Sequence, residues 1–391
     1  MSPATINCLR VPLAYRPGYG RARFTDSHMA QCYISHTLVG DPLLDPVMEE
    51  LSNFPQDDLH RLIAAGIDGE KSALREAPAP LREFFENMCP PSWLDYSTFE
   101  PGIGAFHANA NLFLVAFVGG VLVEGFATLI SKSFCITERL AHTDRRLKQN
   151  NRHLFEVFRP DGLRRHGDGW KLSARIRFVH ARVRHLLENS DEWHEEAWGK
   201  PISAAHLGYA IAVFSMRLLM HAEKLGAVLT DEEKRSVVSI WRYVGYVMGV
   251  PDTALYSNGE EALKVHEIGS LCEPPPDAQS IEMANALISA VPMIAEIKGR
   301  SKQRATAQLA YRVSRALIGN ELADQLRFPK SQSFGVLPRY RMAQRMSRLL
   351  NSESDIISNN VSLLKRLSAY DVGGLSYKLP DHVKHFRSSE W

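Results

Sequence analysis

Apolar positions along the chain recur at helical spacing, and alternation of apolar and polar residues never persists beyond four or five positions. The spacing predicts amphipathic helices over Leu172–Leu187, Ala204–Leu225 and Glu232–Met248. The third follows Thr230-Asp231-Glu232-Glu233, a capping-box sequence, and the three end near Asn189, Gly226, and Gly249 with Pro251. Upstream, Asp45 with Pro46 opens a helix, Asp57–Gly66 gives a second and LREFFENM a third. Residues 137–159 continue helically with Leu140, Leu147, Leu154 and Phe158 on the apolar side. EPPPDAQS (273–280) is the clearest internal break, followed by helices at about 280–298, 302–318, 338–350 and 354–368. Pro12, Pro17, Gly18 and Gly20 predict an irregular N-terminal arm over residues 1–40. CPPSWLDYSTFEPGIG reads as turn-rich, and the last twenty residues as loosely ordered. No repeat at solenoid period is present. The expectation is an all-α protein, with a helical body over 41–270 and a C-terminal helical extension over 271–391 packed on it.

One stretch departs from amphipathic patterning. From Asn111 to Thr143 the chain reads NLFLVAFVGGVLVEGFATLISKSFCITERLAHT, nearly continuous apolar sequence with one acid, Glu124. Leu112 to Ile130 is long enough to cross a bilayer. Glu124, the three glycines Gly119, Gly120 and Gly125, and the lack of an aromatic belt favour a buried helix, or two helices kinked near Gly119–Gly120. No stable membrane span is expected.

The 391 residues, 45% of them hydrophobic and 23% charged, suffice for a sizeable core. A net charge of +2 gives no general case for nucleic acid or an anionic membrane. The N-terminal sequence lacks the apolar core of a secretion signal, so a cytoplasmic location is expected. The five cysteines (Cys8, Cys32, Cys89, Cys135, Cys272) form no CxxC pair, which excludes a zinc ribbon, and no CxxCH, which excludes covalently attached haem. They read as buried, reduced and structural.

Three groups carry candidate chemistry. RIRFVHARVRHLL places His180 between Arg177 and Arg184 at i−3 and i+4, and Ile176, Phe178, Val179 and Val183 could line a porphyrin pocket. A neutral imidazole suits haem iron and two guanidiniums suit its propionates; a basic helix with a hydrogen-bonded core histidine is the simpler reading of the same spacing. Glu124, an acid within apolar sequence, must be paired, protonated or functional: a general base with raised pKa, or half of a salt bridge, with Arg139 the expected partner. Arg139, His142 and Thr143 share one helical face and could hold an anion, act as base or iron ligand, and orient bound oxygen; equally they could be an exposed polar turn. Basic residues outnumber acidic ones between Arg139 and Arg184, yet no nucleic-acid motif accompanies them, and a solvated face is the better reading. HExxH, GxSxG, P-loop and complete GxGxxG motifs are absent.

The order of these features resembles the latex-clearing rubber oxygenases and the wider oxygenase family that shares their catalytic domain. The resemblance runs through GDPLLDPVMEEL (40–51), PPSWLDYSTFEPGIGAF (90–106), the Glu124 helix, RLAHT (139–143), RIRFVHARVRHLL (175–187), WGKPISAAHLGYAIAVFSMRLL (198–219) and EKLGAVLTDEEKRSVVSIWRYVGYVMGVP (223–251), roughly residues 40–255. It implies an all-helical, globin-like core binding one haem b, with His180 as proximal ligand, Arg139 and Thr143 beside the haem and Glu124 as base. It also implies dioxygen as co-substrate and cleavage of an isolated carbon–carbon double bond. His142 stands where the rubber cleavers carry a lysine. With no secretion signal, a small intracellular alkene or lipid is the expected substrate. The expected function is therefore a haem-b oxygenase acting on an unsaturated hydrophobic molecule, with Arg177 or Arg184 on the propionates. Its alternatives are a non-catalytic sensor ligated by His142 and His180, or a helical interaction protein. Oligomeric state, homo-oligomerisation included, is left open.

Overall fold

In a computed structural model of the chain, residues 9–136, 143–331 and 333–368 are described. Among them every regular element is a helix and no strand occurs, as the missing period-2 alternation implies. Buried residues from Tyr15 to Val336 form one continuous core, to which the N-terminal helices, the central helices and the 278–318 region all contribute.

Helix boundaries follow local chemistry. Thr230 and Glu233 form the reciprocal capping box that starts Asp231–Val247. Asn258 and Asp277 cap Gly259–Cys272 and Ala278–Ile294 by accepting from the backbone N–H three residues on. The N-terminal arm is a correction: residues expected to be irregular form the helices Arg16–Thr25 and Ser27–His36. Pro17 falls in the first turn, where its missing N–H matters least. Gly18 sits where a Cβ would lie 2.3 Å from the Cys272 carbonyl, so the glycine serves close packing on the Gly259–Cys272 helix. The turn-rich reading of residues 89–104 is also corrected in part, because Pro101 opens the helix Glu100–Ala108.

The apolar stretch is a helix over Ala110–Phe126, interrupted at Phe117–Val121 by a π turn that contains Gly119 and Gly120. Among the described residues no single helix is long and apolar enough to cross a membrane. This helix and its predecessor meet at 88°. A second π turn, Val213–Arg217, interrupts the run between Ala204–Ala212 and Leu218–Leu225. The two π turns face each other, with Phe117 and Phe214 rings 5.5 Å apart edge to face. Widened turns of this kind re-aim side chains locally and are frequent at functional sites.

Both glycines sit against neighbouring helices, and only Gly120 has no room for a Cβ. Gly119 offers its carbonyl to Ser314 Oγ at 2.6 Å, tying the Arg300–Ile318 helix to the π turn. A Cβ on Gly120 would lie 2.4 Å from His221 Cδ2. Gly120→Ala is therefore expected to destabilise the fold by about 1–3 kcal/mol through overpacking. Equilibrium denaturation checks this, and wild-type stability in the variant would show that His221 is free to retreat.

Candidate active site

Glu124 lies one turn beyond the π turn and is 4% exposed. Its carboxylate is gripped by the Arg217 fork: Nε donates to Oε2 at 3.0 Å and Nη2 donates to Oε1. His221 Nε2 lies 3.1 Å from Oε1, and His266 Nε2 lies 3.9 Å from Oε2. Arg217 and His221 are i and i+4 across the end of the second π turn, so one helical face presents both. His266 arrives from Gly259–Cys272 and stacks on Tyr209 with ring centroids 5.5 Å apart.

Among the described residues the partners of Glu124 are Arg217 and His221, and Arg139, its expected partner, lies outside the described residues. The expectation of a raised pKa is corrected. Burial pushes the carboxyl up, but the hydrogen bond from His221 and the fork and charge of Arg217 more than reverse this, holding it well below the usual carboxylate range. Burial lowers the His221 imidazole despite the adjacent carboxylate, and pushes His266 down to about 4. Glu124 is thus an anion held by the His221 N–H and the Arg217 fork, with neutral His266 beside it. An ionised carboxylate only accepts, so the His221 proton sits on Nε2 and leaves Nδ1 as an acceptor, and this buried nitrogen has no hydrogen-bond partner. Two histidines and a carboxylate suggest a non-haem iron triad. Arg217 instead occupies both carboxylate oxygens, and among the described residues no group of three or more His, Cys, Asp or Glu could hold a metal ion.

Acidification has a defined sign here. His153, buried against Ser173 Oγ at 2.9 Å, is also pushed down to about 4 by burial, as His266 is. Unfolding lets both bind protons near pH 6.5, so stability is fully present above that value and falls as pH drops towards about 4. Thermal melts across this window are expected to show a progressive loss, and a flat profile would mean that these imidazoles are not held neutral.

His180 lies on Asp168–Glu188 and is 8% exposed. Its neighbours one turn away face carboxylates. Arg177 donates to Asp41 through Nε at 2.5 Å and Nη2 at 2.8 Å, while its guanidinium lies over the Phe84 ring. Gly249, at φ +82°, admits this pair, since a Cβ there would lie 2.2 Å from Asp41 Oδ2. Arg184 is 1% exposed; Nε and Nη2 donate to Asp45 at 2.8 Å, and Nη1 donates to the Ile202 carbonyl at 2.7 Å. Both guanidiniums that were expected to meet a propionate are engaged by acids of the GDPLLDP segment, Arg177 through Nε and Nη2 by Asp41 and Arg184 through Nε and Nη2 by Asp45. Arg139 and His142 lie outside the described residues, as does the side chain of Thr143, whose backbone opens the helix Thr143–Val157. The cysteine expectation holds for Cys272, which is buried, and not for Cys89, which is exposed.

A cavity of about 380 Å³ opens on the other side of the π turn. Leu114, Val115, Val118 and Gly119 form one wall, and Ile288, Val291, Leu309 and Val313 of the helices Ala278–Ile294 and Arg300–Ile318 form the other. A second, wider depression of about 680 Å³ has the Asp41–Arg177 pair in its wall, together with Phe84, Trp170 and Tyr243.

The described residues thus form an all-helical body with His180 buried on its longest helix and an apolar cavity beside the first π turn. The chain belongs to the family described as ER-bound oxygenase mpaB/B'/Rubber oxygenase, catalytic domain, which it matches over residues 105–349. It is 26% identical over 183 residues to the rubber oxygenase of Streptomyces sp. (strain K30), covering 45% of this chain and 44% of that protein, so it matches less than half the relative's length. Its fold is similar to that of latex clearing protein LCP in the closed state, with a TM-score of 0.69 at 18% identity over 88% of this chain and 95% of that one. The family match extends through the helices 278–318, which the resemblance read from sequence did not reach.

Proposed function

We propose that this protein is a haem-b-dependent oxygenase that acts with dioxygen on an unsaturated hydrophobic substrate, with oxidative cleavage of a carbon–carbon double bond as the outcome. The observation that carries the reading is the buried imidazole of His180 on the longest described helix of a chain that belongs to an oxygenase family. The residues present fit a haem in one respect and depart in another. His180 offers the buried nitrogen that an axial ligand needs. Arg177 and Arg184 fit less well as propionate partners, because Asp41 and Asp45 already pair with the two guanidiniums. His180 would hold the group, and bound haem would supply an iron able to activate dioxygen.

The chain's own residues then have separable tasks. The apolar cavity beside the π turn would desolvate and orient the substrate chain. Glu124, an ionised carboxylate fixed by Arg217, is a weak base and serves better as a positioning group. It holds His221 by Nε2 and leaves the buried Nδ1 as an acceptor, the base-and-orienter arrangement common to proton-transfer sites. His221→Gln and Glu124→Gln are each expected to retain haem while lowering turnover about 10²-fold. Oxygen uptake with an unsaturated lipid, together with detection of the carbonyl products, is the measurement. Unimpaired turnover in both variants would remove the pair from the mechanism.

A further inference from the structure

The apolar cavity contains one feature that a hydrocarbon pocket does not need. Asn151 lines it from the Thr143–Val157 helix, is 3% exposed, and has a buried Oδ1 with no hydrogen-bond partner. A buried amide oxygen without a donor is uncommon and unfavourable, and a partner is the usual explanation for one. Among the described residues the lining includes no Lys, Arg, His, Asp or Glu. A carboxylate or phosphate would be desolvated there with no counter-charge from these residues, which disfavours an ionic headgroup. Of the other polar groups in the wall, the Asn111 amide oxygen already accepts from the Leu112 N–H at 2.9 Å. Thr306 and Tyr340 add neutral hydroxyls. At about 380 Å³ the compartment is within the range of small-molecule sites, roughly 300–1,000 Å³.

We infer that this cavity binds a neutral long-chain lipid bearing one hydroxyl group, read by the Asn151 carboxamide. A hydroxyl suits an amide in either orientation, donating to Oδ1 or accepting from Nδ2. This refines the substrate class and rests on reading the cavity as the substrate compartment. It replaces a pure hydrocarbon such as rubber with an apolar alcohol whose polar end is fixed while its chain runs between the π turn and the Ala278–Ile294 and Arg300–Ile318 helices.

Binding rather than turnover tests it. Calorimetric titration of the full-length protein with 1-decanol, n-decane and decanoate is expected to give at least tenfold tighter binding of the alcohol than of either of the others. In Asn151→Leu the alcohol should fall to the level of the hydrocarbon. Should that variant fail to fold, Val291→Phe, which narrows the cavity and leaves Asn151 in place, is expected to weaken alcohol and hydrocarbon together. Equal binding of decanol and decane to the wild type, tighter binding of decanoate, or no binding of any of the three would overturn the inference. The oxygenase reading fails separately: selective alcohol binding without oxygen uptake would sink that reading and leave this one standing, and oxygen uptake with headgroup-blind binding would do the reverse.

Discussion

Asp41→Ala is expected to destabilise the protein by about 3–5 kcal/mol, because it strands a buried guanidinium whose one carboxylate partner among the described residues is Asp41. The Asp41 and Arg177 side chains are 1% and 6% exposed, and two parallel hydrogen bonds join them. The carboxylate also accepts from the Leu43 and Leu44 N–H groups at 3.2 and 3.1 Å, so the substitution loosens the entry to Asp45–Glu50 as well. Replacing both partners with leucine should recover much of the loss, since the penalty for breaking such a pair exceeds its net contribution when intact. Urea denaturation of the two single variants and the double variant measures the coupling. A single-variant loss below about 1 kcal/mol would mean that the pair behaves as an exposed one. The same experiment bears on function. Arg177 precedes His180 by one turn, and an intact pair fixes the register of the helix that presents the imidazole.

His180→Ala should have the largest effect on activity. If the imidazole is the protein ligand to haem iron, the variant loses tightly bound haem and with it all oxygen uptake, while circular dichroism stays helical. The cavity left by the side chain makes imidazole a natural rescue reagent, and added imidazole restoring haem binding would tie the loss to the missing ligand rather than to misfolding. A variant with wild-type haem content and turnover would show that another residue holds the iron.

Much of this architecture was legible in the sequence because the relevant physics is local. The capping box at Thr230–Glu233, the apolar face of Asp168–Glu188 and the break at Gly119–Gly120 all depend on residues within a few positions of one another. The N-terminal helices were not legible, because the reason Gly18 is tolerated is the Cys272 carbonyl, which belongs to a distant helix. The candidate site was read unevenly for the same reason. Glu124 stands out as an acid in apolar sequence, whereas Arg217, His221 and His266 look like ordinary polar positions on amphipathic helices. The one available signal was Arg217 and His221 at i and i+4 within an otherwise apolar run, a pair suited to receiving a buried acid. Arg177 and Arg184 show the converse. Their spacing around His180 is local and visible, whereas the acids that pair with them, Asp41 and Asp45, lie far upstream in the chain.

The central claim is that His180 holds a haem at which dioxygen reacts. Its most direct test is the visible spectrum of protein produced with haem supplementation, recorded oxidised, reduced, and reduced with carbon monoxide, for the wild type and His180→Ala. The account predicts a Soret band in the wild type that shifts with carbon monoxide, and its loss in the variant. A wild type with no Soret band, a band indifferent to carbon monoxide, or a variant spectrum identical to the wild type would contradict it.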